Sequence, residues 1–190
     1  MSPLRLVIFG RQGAGKGTQC ERLCAQYGAV HVATGEMLRA AERLDSALGK
    51  QAATHLKRGE LLPDEVMVGL VRERVGQDDC QTKGFILDGY PRTIAQAEAL
   101  VDFIPASEFD GAIDLEVSKE LVIERLQARH RDDDTAAAIA RRLELYELQT
   151  SPLIKWFQDR NLLSVVNGVG DLDEVTQRLY TTIDHRRTIR

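Results

Sequence analysis

The sequence predicts an α/β fold: a doubly wound, parallel five-stranded sheet flanked by helices. Three observations predict it. Leu4 to Phe9 is a short apolar run ending at Gly10, the pattern of a strand buried on both faces. A glycine-rich loop, Gly10 to Thr18, then leads into a helical stretch. Further strand-length apolar runs alternate with longer helical segments, the βαβ order that builds a parallel sheet. Ligands of such sheets sit beyond the carboxyl ends of the strands, so the loops after residues 4–9, 85–87 and 112–117 are where chemistry is expected.

In chain order, Gly15 to Tyr27 reads as a helix stopped by Gly28. His31-Val32 is a short strand, and Thr34 is the expected N-cap of a helix running to about Leu44. More helix is expected over Ala47–Arg58, broken by Gly59, and again from Asp64 to Val75. Phe85-Ile86-Leu87 is a strand entering the loop Asp88-Gly89-Tyr90-Pro91-Arg92. Helix Ile94–Phe103, strand Ala112–Val117, and helices Lys119–Arg129 and Asp134–Gln158 follow. Leu162–Val166 is the last strand and Asp171–Ile183 the last helix. There is no internal repeat or linker. The one charge run is Arg129-His130-Arg131-Asp132-Asp133-Asp134.

A chain of 190 residues fits one domain with small inserts, and 43% hydrophobic residues supply a sizeable core. Formal net charge is −4, so no basic face for nucleic acid is expected, and any phosphate site must be a local gathering of Lys and Arg. Three cysteines, Cys20, Cys24 and Cys80, are an odd and sparse set that points to a reducing, cytoplasmic compartment. Cys20 and Cys24 would offer two ligands on one helix. No His or Cys pair elsewhere completes a tetrahedral site, so no zinc is expected. No apolar run reaches the ~18 residues of a membrane span. Met1 to Arg5 enters the first strand directly, which leaves no room for a signal peptide.

Gly10-Arg11-Gln12-Gly13-Ala14-Gly15-Lys16-Gly17-Thr18 has the strand before and the helix after that a phosphate loop requires. Its glycines permit positive φ and close approach of a ligand. Its amides and the helix N-terminus can cradle anionic oxygens. Lys16 can reach outer phosphates, and Thr18 can approach Mg²⁺. The blander reading is a glycine-rich turn with an incidental lysine. A phosphoryl donor and acceptor repel unless cations hold them in line. Arg39, Arg92, Arg125, Arg129, Arg131 and Arg142 are candidates, although any one alone reads more readily as a solvated surface residue than as a ligand-binding one. Asp88, ending an apolar strand, needs a partner such as a hydrated Mg²⁺ or a turn to cap. Tyr90-Pro91 is a candidate cis bond that would place Arg92. There is no Ser-His-Asp or Cys-His nucleophile pattern, and His31, His55, His130 and His185 read as structural or solvated. An acceptor that is already an anionic phosphate needs no general base.

With these motifs in hand, the chain resembles adenylate kinases over nearly its whole length. Gly10–Thr18 resembles that family's phosphate loop, including the Gly-Thr that follows the lysine. Thr34-Gly35-Glu36-Met37-Leu38-Arg39 and Gly59-Glu60-Leu61-Leu62-Pro63-Asp64 resemble the two ends of its nucleoside-monophosphate segment, here 33–62. Gly84 to Thr93, followed by Gln96, resembles the family signature, and Arg131, Asp133-Asp134 and Arg142-Leu143-Glu144 resemble the lid arm and the helix behind it.

The resemblance implies a single P-loop nucleoside-monophosphate-kinase domain over 1–190 that catalyses ATP + AMP ⇌ 2 ADP with Mg²⁺, and it implies a monomer. ATP would be held by Gly13, Ala14, Gly15, Lys16, Gly17 and Thr18, with Lys16 on its β/γ-phosphates. Arg125 and the backbone near Gly170 would hold its adenine, and Arg129 would cover its phosphates. Arg39 and Arg92 would take the AMP phosphate beside Gly89. Thr34, the Leu61/Leu62 backbone and Gln96 would take its adenine. Arg131 and Arg142 would clamp the phosphates on closure, and Asp88 would orient waters on Mg²⁺.

Four departures from the family pattern stand out. Gln12 replaces the usual Pro, Glu36 the usual Asp and Tyr90 the usual Phe. The lid, 125–135, is very short, with only His130 between Arg129 and Arg131, which leaves no place for the Cys-based zinc lid of some members. Competing readings are a UMP/CMP kinase, which Thr34 and Gln96 disfavour, and a silent nucleotide-binding module, which the presence of Lys16, Arg92 and Arg142 disfavours. A nucleic-acid-binding P-loop protein is disfavoured by the acidic balance.

Overall fold

The computed structural model describes residues 2–43, 50, 53–55, 58, 60–128 and 135–189. Strands are β1 (Leu4–Phe9), β2 (Val30–Ala33), β3 (Gly84–Asp88), β4 (Gly111–Glu116) and β5 (Leu163–Asn167). Helices are α1 (Lys16–Tyr27), α2 (Thr34–Arg43), α3 (Asp64–Val75), α4 (Asp78–Lys83), α5 (Ile94–Phe103), α6 (Lys119–Gln127), α7 (Ala136–Leu145), α8 (Ser151–Gln158) and α9 (Leu172–Thr188). The expected helix over Ala47–Arg58 falls largely outside the described residues.

Every residue of β1 is buried because β1 is the central strand, in the order β2-β3-β1-β4-β5 with all pairs parallel. Alternation along it feeds two cores. Val7 and Phe9 point into one layer with Phe85, Leu87, Leu100 and Phe157. Leu6 and Ile8 point into the other with Leu23, Ile86, Ile113, Leu115 and Leu179. The one charged residue of β1, Arg5, is accommodated by an ion pair with Glu108, while its backbone N–H donates to Asp110 Oδ2 at 2.8 Å. No helix among the described residues is long and apolar enough to cross a membrane.

Two elements differ from the sequence pattern. Helix α4 was not expected, since Asp-Asp-Cys-Gln-Thr-Lys has no apolar period and buries only Cys80. Its signal is electrostatic: acids in the first turn, Lys83 in the last, and Gly84 at φ 80° closing it. The single helix expected over 134–158 is instead α7, a π-turn at Tyr146–Thr150, and α8. Pro152 offers no N–H to the preceding turn, so the i→i−4 ladder cannot run through unchanged.

Phe157 is fully buried between Phe9, Phe109 and Trp156, with ring centroids 4.9–6.2 Å away. Phe157→Ala should therefore cost about 3–5 kcal/mol of stability. A urea unfolding midpoint unchanged from wild type would contradict this packing.

Candidate active site

The loop after β1 makes the floor of a cavity of about 410 Å³. Gly10, Gly13 and Gly15 all take positive φ, at 139°, 89° and 97°. At Gly13 a Cβ would stand 2.9 Å from Val122 O, so the loop can lie against α6 only with glycine there. Helix α1 begins with no side-chain hydrogen bond at its N-cap, Gly15, and no acid in its first turn. Its first amides and the positive end of its dipole are therefore left for an anion.

Five cations line the cavity: Lys16, Arg39, Arg92, Arg125 and Arg142. Three of them donate to backbone carbonyls. Lys16 Nζ reaches Gly10 O at 2.7 Å and Arg11 O at 3.1 Å. Arg125 Nη1 reaches Ala14 O at 3.2 Å, and Arg92 Nε reaches Gly89 O at 2.9 Å. A phosphate oxygen forms stronger, charge-assisted bonds than a neutral carbonyl does, so an anion can draw these donors off the carbonyls. Burial pushes the Arg92 pKa down. Asp88 opposes that and Arg142 adds to it, yet a guanidinium stays charged at neutral pH.

Arg92 is held from several directions. Its backbone N–H donates to Gln96 Oε1 at 2.7 Å, and its carbonyl accepts from Thr150 Oγ1 at 3.3 Å. The Gln96 amide donates to Asp64 Oδ1 at 2.7 Å, and Thr93 Oγ1 donates to Asp64 Oδ2 at 2.9 Å. Asp64, Thr93 and Thr150 are thus supports that the sequence pattern did not single out. Their contacts span up to 58 residues of chain, and no local spacing encodes them. The Tyr90–Pro91 peptide is cis.

The expected residues are distributed as follows. Gly13, Gly15, Gly17, Thr18, Leu61, Asp88 and Gly89 line the cavity with the five cations. Ala14, Thr34, Leu62 and Gln96 are buried beside it rather than lining it. Thr34 is the first residue of α2, and its hydroxyl donates to Asp88 O at 3.3 Å. Gly170, at φ 130°, is not among the lining residues. Arg129 and Arg131 lie outside the described residues, as does most of the 125–135 lid. Arg11 does not line the cavity. It donates to Glu147 Oε1 at 2.8 Å and to Val117 O at 3.0 Å, and lies over the Tyr146 ring.

Asp88 lies near the start of α1, its Oδ2 3.9 Å from where a Gly17 Cβ would sit. Burial would raise its pKa, but the His31 imidazole, Lys16 and Arg92 together hold it below the ordinary carboxylate value. It is therefore anionic at neutral pH. Cys20 and His31 lie close to it as well. The sheet thus sets a histidine beside Cys20, a neighbour that linear spacing does not show.

At Gly89, φ is 85° and a Cβ would stand 2.7 Å from Thr34 Oγ1 and 3.2 Å from Arg92 Nη2. Gly89→Ala should cost about 1–3 kcal/mol, read as a lowered denaturation midpoint. A midpoint equal to wild type would show that the turn tolerates a side chain.

Comparison with known proteins places the chain among relatives of one family. A family model described as adenylate kinase matches residues 8–162. The chain is 38% identical to the adenylate kinase of Bacillus subtilis (strain 168), covering 90% of this chain and 94% of the relative. It is 40% identical to the adenylate kinase of Stenotrophomonas maltophilia (strain K279a), covering 95% and 99%. It is also 40% identical to that of Parvibaculum lavamentivorans, covering 95% and 92%. The Bacillus alignment spans 205 positions, more than this chain's 190 residues, so that relative carries insertions that this chain lacks. On the matched model and these relatives, the chain belongs to the adenylate kinase family.

Proposed function

We propose that the chain catalyses the reversible reaction ATP + AMP ⇌ 2 ADP, with Mg²⁺ bound to the nucleotide. The observation that carries this reading is the set of five cations around a cavity floored by an uncapped phosphate loop. That arrangement suits two phosphate chains meeting end to end, where catalysis is positioning and charge neutralisation. Gly13 to Thr18 cradle the ATP phosphates, and Lys16 follows the transferred group. Arg125 and the backbone near Gly170 hold the ATP adenine. Arg39 and Arg92 take the AMP phosphate, with Gly89 keeping the turn open beside it. Arg142, joined by Arg131 and Arg129 from the short lid, closes over both phosphates.

Thr34, Leu61, Leu62 and Gln96 form the AMP base pocket in this reading. Gln96 has one amide hydrogen and one lone pair left after its bonds to Asp64 and Arg92, enough to read an adenine edge. An anionic Asp88 lining the same cavity as Thr18 fits the oxygen-rich surroundings of a hydrated Mg²⁺, which would neutralise charge on the transferring phosphates. The 33–62 segment is proposed to close on AMP and 125–135 to act as a minimal lid. Three free cysteines support a cytoplasmic setting, and the protein is proposed to work as a monomer.

Lys16→Met should lower turnover by roughly two to four orders of magnitude while the far-ultraviolet circular dichroism stays unchanged. Near-normal turnover would refute the assignment. A coupled assay across AMP, GMP, CMP and UMP should show fastest use of AMP, and preference for UMP or CMP would favour a pyrimidine kinase instead. The two-adenosine analogue Ap5A should protect 33–62 from hydrogen exchange. Unchanged exchange there would refute closure of that segment.

A further inference from the structure

A second set of donors lies against the phosphate site, and phosphoryl transfer does not use all of it. Sheet topology assembles it. His31 of β2 is in register with Ile86 of β3, so His31, Ile86 and, two residues on, Asp88 share one face. Helix α1 packs on that face and brings Cys20, which clusters with Ile86. One ligand atom each from Cys20, His31 and Asp88 therefore lies within 4.8 Å of the others. Cys20 is fully buried, and the side chains of His31 and Asp88 are only 18% and 15% exposed.

His31 Nε2 faces Asp88 Oδ2 at 3.6 Å, too far for a hydrogen bond, and it is buried with no hydrogen-bond partner among the described residues. A polar nitrogen left so is costly. A cation between the two would satisfy both. Ligand atoms about 2.0–2.3 Å from a tetrahedral zinc stand about 3.3–3.8 Å from one another, so the His31–Asp88 spacing already fits and the sulfur need shift by at most about 1 Å. Thiol, imidazole and carboxylate together suit a borderline cation and not magnesium, which prefers oxygen alone.

We propose that Cys20, His31 and Asp88 form a three-ligand site for a divalent cation of the zinc and cobalt class, and that its occupation inhibits the enzyme by withdrawing Asp88 from the magnesium-bound nucleotide. The inhibition rests on the role given to Asp88 above; the site itself does not. On binding, the Cys20 S–H bond breaks, its proton passes to solvent, and a sulfur–metal bond forms with no change of oxidation state. A water completes the tetrahedron. Asp88 borders the cavity, which gives the ion its way in.

Titration of the nucleotide-free full chain with Co²⁺ tests the site without any need for activity. One equivalent should give tetrahedral cobalt absorption with a sulfur-to-cobalt charge-transfer band, reversed by Zn²⁺. Cys20→Ser and Cys20→Ala should lose that band, and with His31→Gln should bind at least about tenfold more weakly. Cys24→Ser should match wild type. Thermal melts of each variant keep misfolding from passing as lost binding. No charge-transfer band in wild type, or one abolished by Cys24→Ser and kept by Cys20→Ser, overturns the site.

In the kinase assay at saturating Mg²⁺ and nucleotide, buffered free Zn²⁺ should inhibit wild type. Cys20→Ser and His31→Gln should keep magnesium-supported turnover within about twofold and resist zinc. Zinc that fills the site without slowing turnover overturns the inhibition. A normal cobalt spectrum in a chain with no kinase activity would instead sink the functional reading and leave the site standing.

Discussion

The structure depends most on holding positive charge in a confined space before any phosphate arrives. Like-charged groups around one cavity repel, and burial makes each costlier. The chain answers with backbone carbonyls: Lys16 on Gly10 and Arg11, Arg125 on Ala14, Arg92 on Gly89. A carbonyl steadies a cation without neutralising it, so the charge stays available. Arg11 shows the opposite case. Bound to the Glu147 carboxylate, it joins the phosphate loop to the π-turn and stays out of the cavity.

That arrangement requires backbone to be brought to fixed places, and the doubly wound sheet does this. Residue Phe9 ends a strand buried on both sides, so the loop that follows cannot drift. Asp88 ends the neighbouring strand, and the turn after it carries Arg92, with Gly89 the residue small enough to pass Thr34. Arg92 is then braced by Gln96 and Asp64 from one side and by Thr150 from the other. The π-turn matters here, because it sets Thr150 against Arg92 and Tyr146 3.5 Å from the buried Asp114.

Much of this was legible in the chain. Strand β1, helices α3 and α5 and the phosphate loop follow from apolar period and glycine placement, and their bounds agree with the pattern to within a residue. All five of the cavity's cations also stood out: Lys16 and Arg92 at the loops after β1 and β3, and Arg39, Arg125 and Arg142, which lie within helices, as members of the motifs that carry the family resemblance. Helix α4 did not, since six polar residues carry no apolar period. Nor did the break in the long helix after α7, because one proline gives no sign of how the ladder will re-register around it.

By itself the sequence determined which backbone could bend sharply, that the first strand would be buried on both faces, and which cations belonged to the phosphate-binding motifs. These are local matters of steric freedom, hydrophobic period and charge. Only the tertiary structure decided what those groups face. It turned Gln96 toward Asp64, drew Arg11 away to Glu147, and placed His31 beside Cys20 and Asp88. The physical reason is parallel pairing: neighbouring strands are distant in sequence, and register across them decides which side chains share a face.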